Sequence, residues 1–307
     1  MFTLWRKACS RAARCGSRSL APALLCIGLS TGAAAAQESP FFITYDDQLE
    51  ELGNLEIAVN PLLASQRGGD GFLASSVELE YGLRGWWTTE LYLDGQATRG
   101  DGTALTGWRW ENRWRPLLHE HWINPVLYVE LEDVDGADKT MLEVVGHDVE
   151  SDHATPNRDA RRERLREAET KLILASRVAD WTLAADFIAE KDLAGPVWEF
   201  GYAIGASRPL ALAALPYPCT LCAENFTAGV EMYGGLGDAR GFGLRDTSHY
   251  LAAVLGWSLP SGTTLRLSPT FGLNANSHRF LLRLGVSYEI SDVARRMRQA
   301  WRPVGAP

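Results

Sequence analysis

The sequence predicts an all-β chain: a transmembrane, antiparallel, up-and-down β-barrel of about 12 strands. Three observations carry that expectation. From Leu52 onward, segment after segment alternates apolar and polar side chains with the two-residue period of a strand. Beyond residue 36 no uninterrupted apolar run approaches the roughly 20 residues that a membrane helix needs, so a membrane-embedded chain would have to close into a barrel. The aromatic side chains gather at the ends of the alternating segments, where bilayer interfaces would fall. Composition is neutral on the question, at 46% hydrophobic, 22% charged and a mean hydropathy of -0.14.

Residues 1–36 have the three regions of a secretory signal peptide. Arg6, Lys7, Arg11, Arg14 and Arg18 precede an apolar run over residues 20–29, and Ala33 to Ala36 offer a small-residue cleavage site before Gln37. Cys26 invites a lipoprotein reading, but Leu25 stands where a small side chain is needed. Removing the five basic residues takes the formal charge from -8 to -13. Such acidity argues against nucleic acid as a partner.

Strand one, residues 54–60, sets Leu55, Ile57 and Val59 on one face. Strand two turns Val77, Leu79, Tyr81 and Leu83 outward against Glu78, Glu80 and Arg84. Strand three opposes Trp87, Thr89, Leu91 and Leu93 to Glu90, Tyr92, Asp94 and Gln96. Strand four opposes Trp108, Trp110 and Trp114 to Arg109, Glu111, Arg113 and Arg115, a charged face that an apolar core would absorb only at heavy cost. Strand five opposes Ile123, Pro125, Leu127, Val129 and Leu131 to Asn124, Tyr128, Glu130 and Glu132.

Strand six sets Leu172, Leu174 and Val178 against Lys171 and Arg177. Strand seven sets Trp181, Leu183, Ala185 and Phe187 against Thr182, Asp186 and Glu190. Strand eight carries Trp198, Phe200, Tyr202 and Ile204 outward, and strand nine Phe226, Ala228, Val230 and Met232, with Thr227, Glu231 and Tyr233 inward. Strand ten turns out Leu251, Ala253, Leu255 and Trp257. Strand eleven turns out Leu265, Leu267, Pro269, Phe271 and Leu273, with Arg266, Ser268 and Thr270 inward. Strand twelve, residues 279–290, reads RFLLRLGVSYEI, apolar at every even position and carrying Arg283, Gly285, Ser287 and Glu289 on the other face.

Within that last strand, the order polar, any, glycine, two more, aromatic, any, apolar from Arg283 to Ile290 resembles the C-terminal insertion signal of Gram-negative bacterial outer-membrane β-barrels. The resemblance implies a bacterial outer-membrane location, a lipid and lipopolysaccharide environment, and the barrel-assembly machinery as a partner. It implies a signal peptide (1–36), a periplasmic N-terminal segment (37–53), a barrel (54–290) and a periplasmic C-terminal tail (291–307). With the N-terminus periplasmic, Trp87, Trp114, Trp122, Trp181, Phe226, Trp257 and Tyr288 form a girdle at the periplasmic interface. Trp108, Trp198 and Phe280 fall at the opposite one. Short turns at Arg84-Gly85, Ala179-Asp180 and residues 260–262 fall on the periplasmic side, and the longest connection, 134–168, falls outside. In the tail, Arg295, Arg296, Arg298 and Trp301 suggest a short basic helix.

The charged inward face is the candidate site, with Glu78, Glu80, Glu90, Asp94, Arg109, Glu111, Arg113, Glu130, Glu132, Lys171, Arg177, Asp186, Glu231, Arg266 and Arg283 as lumen-lining residues. Opposite charges on neighbouring strands pair favourably, so this face is either a salt-bridge filling or a selectivity wall. The function expected is a narrow diffusion channel for small hydrophilic solutes, with a non-conducting structural or surface-binding barrel as the alternative.

Other motifs point elsewhere. Cys219 and Cys222, in an exported chain with Pro209, Pro216 and Pro218 nearby, suit a structural disulfide better than a metal or redox pair. Asp133, Asp135 and Asp138 lack the full spacing of a calcium loop. Residues 156–169 have helical composition with Pro156 suited to a first turn. Arg99-Gly100-Asp101 reads as a hairpin turn. In the pairs Ser248-His249 and Ser277-His278 the two side chains of a strand would point to opposite faces, which disfavours a lipid hydrolase. No catalytic group, metal or cofactor is expected.

Overall fold

The computed structural model describes residues 39–65, 71–138, 145–146, 155–213, 215 and 219–300. The signal-peptide expectation with Cys9, Cys15 and Cys26, and residues 301–307 with Trp301, lie outside the described residues.

Twelve long strands make one wall: β1 (Leu55–Ser65), β2 (Phe72–Arg84), β3 (Trp87–Thr98), β4 (Gly102–Trp114), β5 (Asn124–Asp135), β6 (Arg164–Val178), β7 (Trp181–Asp192), β8 (Trp198–Pro209), β9 (Phe226–Asp238), β11 (His249–Ser258), β12 (Thr263–Gly272) and β13 (Phe280–Ile290). Between β9 and β11, β10 (Gly241–Phe242) is a two-residue extension paired to β9 alone. Neighbours are antiparallel throughout, and β13 pairs with β1 while β8 pairs with β9, so the sheet closes on itself. Closure leaves no sheet edge unpaired, the condition for strands in a membrane.

The alternation read from the sequence holds along the middle of the strands, while Arg84, expected inward, is exposed beyond a register shift between Gly82 and Arg84. On β5, Leu127 is 50% exposed and Tyr128 only 2%. Large apolar side chains stand exposed around the barrel, among them Leu79, Leu91, Phe187, Val230 and Leu251. An apolar belt of this extent belongs in lipid rather than water. At the end that carries both termini, Trp87 stacks on Trp114 at 6.3 Å and Phe226 on Trp257 at 5.6 Å, each pair directly opposed across neighbouring strands.

The ends of elements differ from the sequence reading in three places. β1 continues through Pro61 to Ser65, because Leu62 and Ala64 keep the inward parity and are buried. The helix expected over 156–169 shrinks to the single turn α1 (Asn157–Ala160), and β6 begins at Arg164. Here register overrides composition: Arg166 lies directly opposite Asp133 on the outer face and pairs with it at 3.4 Å, and Arg164, the next residue on that face, bonds the same carboxylate. After β13 the chain does form a helix, α2 (Val293–Ala300).

The third difference matters most. Residues 37–53 were expected outside the barrel, but residues 39–50 run into it. Phe41, Ile43, Thr44, Asp46 and Asp47 are each less than 5% exposed. The strap returns to the wall through Leu52, which bridges to Gly82, and Gly53 at φ +84°. A Cβ on Gly82 would lie 2.0 Å from the Glu51 carbonyl, so only glycine admits this approach. At the opposite end two residues of the long connection also meet the wall. Val145, 1% exposed, and Gly146 bridge to Gly201 and Gly237, at the register shift between β8 and β9.

Candidate functional site

Strand register produces a feature that no single strand displays. Glu289 lies directly opposite Glu56, Glu56 opposite Glu80, Glu80 opposite Glu90, and Glu90 opposite Glu111. The row continues through Glu130, Glu169, Glu190 and Glu199 to Asp238. Because barrel strands tilt, a row perpendicular to them climbs the wall. Glu56 is the second residue of β1 from the terminus end, Glu130 the seventh of β5, Glu190 the tenth of β7, and Glu199 the second from the loop end of β8. Carboxylates therefore wind along the interior from one mouth to the other.

Like charges directly opposed across strands destabilise a sheet, so the middle of the ladder is held by interleaved cations and phenols. The Arg113 guanidinium reaches Glu80 at 2.6 Å, Glu90 at 2.7 Å and Glu111 at 3.2 Å. Arg109 pairs with Asp94 at 2.8 Å and approaches Glu130 at 3.8 Å, and Lys171 holds Glu169 at 2.9 Å. Tyr92 donates to Glu90 and Tyr128 to Glu130, both at 2.6 Å. Near the terminus end the Glu56, Glu78 and Glu80 carboxylates lie within 4.8 Å of one another, with Asn60 donating to Glu78 at 2.8 Å.

The strap sits across this wall, held through its backbone. The amides of Phe42, Ile43 and Thr44 donate to the Glu231 carboxylate at 3.2, 3.1 and 3.0 Å. The Tyr45 amide donates to Asp186 at 2.7 Å. In return Arg266 donates to the Phe41 carbonyl, Arg113 to that of Gln48 and Arg115 to that of Asp47, while Arg177 pairs with the Asp47 carboxylate at 2.9 Å. Burial, opposed by the Gln48 amide that bonds it, pushes the Asp46 carboxyl above its ordinary range. The Tyr45 side chain packs against Val126, Tyr128 and Ile173 and donates its hydroxyl to Glu111 at 2.9 Å. Burial first, then the Glu111 and Glu90 charges, push its phenol well above the usual range, so it stays a neutral donor.

Of the residues singled out in the sequence, Glu78, Glu90, Asp94, Arg109, Glu111, Arg113, Glu130, Lys171, Asp186, Glu231 and Arg283 are buried in the interior. Glu80 belongs to the Arg113 cluster, Arg266 to the strap, Arg177 to the terminus mouth, and Glu132 faces Glu167 near the loop end. The sequence reading missed Glu56, Glu169, Glu199 and Glu289 as partners in one row, and the strap altogether.

The remaining motifs are dispersed. Asp133 bonds Arg164 and Arg166, Asp135 pairs with Arg161 at 3.0 Å, and Asp138 bonds Thr106, so the three do not converge. Arg99-Gly100-Asp101 is a hairpin turn with Gly100 at φ +78°. Cys219 and Cys222 are joined in a disulfide with Cα atoms 5.6 Å apart, in a loop tied to the wall by Trp257 donating to the Thr220 carbonyl at 2.9 Å. The Ser277 hydroxyl bonds the His249 main chain rather than an imidazole, and the His249 ring meets Thr247 at 2.8 Å and Tyr202 at 3.1 Å.

No protein-family model and no curated protein matches the chain. Among solved structures it is similar to an outer membrane channel from Pseudomonas putida F1, with a TM-score of 0.50 and 12% identity over 81% of this chain and 100% of that one. The KdgM porin gives 0.46 and 8% over 75% and 98%, and the NanC porin 0.46 and 11% over 76% and 100%. The likeness is one of fold, and the fold is that of bacterial outer-membrane β-barrels.

Proposed function

We propose that the barrel is a narrow outer-membrane channel for small hydrophilic solutes with a weak cation preference, held shut here by its N-terminal strap. The carboxylate ladder carries this reading. It runs from mouth to mouth, and its carboxylates outnumber the interior cations, so the field inside a low-dielectric wall favours positive ions. The strap is held by the burial of Phe41 and Ile43 and by bonds between its main chain and charged wall groups, and water can replace the latter when it swings out on Gly53.

A non-conducting structural or surface-binding barrel is the second reading. It draws support from the loop half, where Val145 joins Leu62, Phe72, Tyr233, Tyr250 and Leu281 in an apolar layer. An outer-membrane lipid hydrolase ranks third, since the Ser277 hydroxyl bonds the His249 main chain instead of its ring.

Single-channel recording in planar bilayers decides between them. The mature protein is compared with a variant lacking residues 39–50 and with an Arg109→Ala, Arg113→Ala variant. The channel reading expects larger or more frequent openings without the strap and a shift toward cations in the arginine variant. Silence from all three, each correctly folded, would hand the case to the non-conducting reading.

A further inference from the structure

Tyr45 occupies a niche in the wall whose chemistry is specific for what fills it. Val126 and Ile173 form an apolar floor, and the Tyr128 ring meets the Tyr45 ring edge-on at 5.3 Å between centroids. Lys171 Nζ stands 4.6 Å and the Arg113 guanidinium 5.2 Å from the ring centre, both cations on a π-system. At the far end the Glu111 carboxylate, itself fully buried, accepts the hydroxyl. A ring, a hydroxyl donor and no charge is the combination this niche satisfies. An anionic ring would meet Glu111, and an aliphatic chain would forfeit both cation contacts.

Two observations separate the niche from an ordinary core position. The strap backbone has anchors of its own beside the Tyr45 side chain, at Glu231 and Asp186. Tyr45 is also only partly buried as a residue, and the groups that surround its ring all belong to the wall strands β4, β5 and β6 rather than to the strap. We propose that the niche formed by Glu111, Arg113, Val126, Tyr128, Lys171 and Ile173 is a binding subsite for neutral hydroxyl-bearing aromatic molecules. Tyr45 fills it as an internal ligand while the strap is docked. As a station on a solute path the subsite rests on the channel reading, and a solute that takes the niche competes directly with strap closure.

The test uses p-cresol, which is the tyrosine side chain without its backbone, and toluene, which lacks only the hydroxyl. Both are titrated into folded Tyr45→Ala protein and folded native protein in detergent. The expected result is that p-cresol raises the unfolding temperature of Tyr45→Ala and leaves the native protein unchanged. Toluene should bind roughly ten- to a hundredfold more weakly, the worth of one charge-assisted hydrogen bond. No response from folded Tyr45→Ala, or an equal response to both compounds, overturns the proposal. Should that variant fail to fold, hydrogen exchange at the amides of residues 42–45 is followed in the native protein. The proposal then expects p-cresol to accelerate it several-fold and toluene to leave it unchanged, and an unaltered rate with p-cresol overturns it. Neither readout involves conductance, so failure of the subsite and failure of the channel are told apart.

Discussion

Replacing Glu231 with glutamine changes the strap's anchorage while altering the volume of the side chain very little. In the native protein one buried carboxylate accepts three successive strap amides at 3.0–3.2 Å. Hydrogen bonds to a charged group contribute about 1.5–3 kcal/mol each, against about 1 kcal/mol for neutral pairs. Loss of the charge therefore costs on the order of 1 kcal/mol per bond, or about 3 kcal/mol for the set. The glutamine amide adds to this, since its NH2 turns a donor toward donors. With 1.4 kcal/mol per factor of ten, the ratio of docked to undocked strap falls by about a hundredfold. Hydrogen exchange read by mass spectrometry on a peptide covering residues 39–50 measures that ratio, with heat-modifiable migration on a gel confirming an intact barrel. Exchange should accelerate by about that factor in the strap and not in the β-strands. A rate within two- or threefold of native would mean that the three bonds do not hold the strap, and the reasoning from their geometry would fail.

Two further outcomes are expected. Asp46 has a folded-state pKa raised by burial, so its contribution favours the docked strap below the ordinary carboxylate range, about pH 4, and is lost as pH rises through the raised value. With Asp47 and Arg177 beside it unchanged, Asp46→Asn should hold the strap more tightly at neutral pH and flatten the pH dependence of strap exchange. An opposite slope would contradict the assignment. Gly205→Val places a side chain where even a Cβ lies 2.7 Å from the Phe41 ring and 3.0 Å from Thr44. It should expel the strap with no change of charge, at about 1–3 kcal/mol, seen as faster strap exchange in a barrel that still migrates as folded.

The period of the strands and the identity of their inward residues were legible in the sequence, because alternation is a local property and every second residue shares a face. Register was legible only in part. Glu169 opposite Glu190 follows from counting back around the tight turn at Ala179-Asp180, whereas the same count from the turn at Gly85 misses Glu80 opposite Glu90 by one residue, because the register shifts between Gly82 and Arg84. Glu111 opposite Glu130 does not follow either, since a loop over residues 115–123, too long to fix the register by its own turn type, separates β4 from β5. Glu56 opposite Glu289 depends on closure between the two ends of the barrel. The ladder is therefore a sum of pairings, some set by a turn and others by the whole sheet. Residues 39–50 show no strand period, and nothing in FFITYDDQ marks it as an interior segment. What brings it inside is a set of carboxylates far apart in sequence: those of β7 and β9 accept its amides, and that of β4 accepts the Tyr45 hydroxyl. The sequence by itself determined a closed wall with a charged interior. Only the tertiary structure decided what occupies that interior, because the lumen exists only once twelve strands have met.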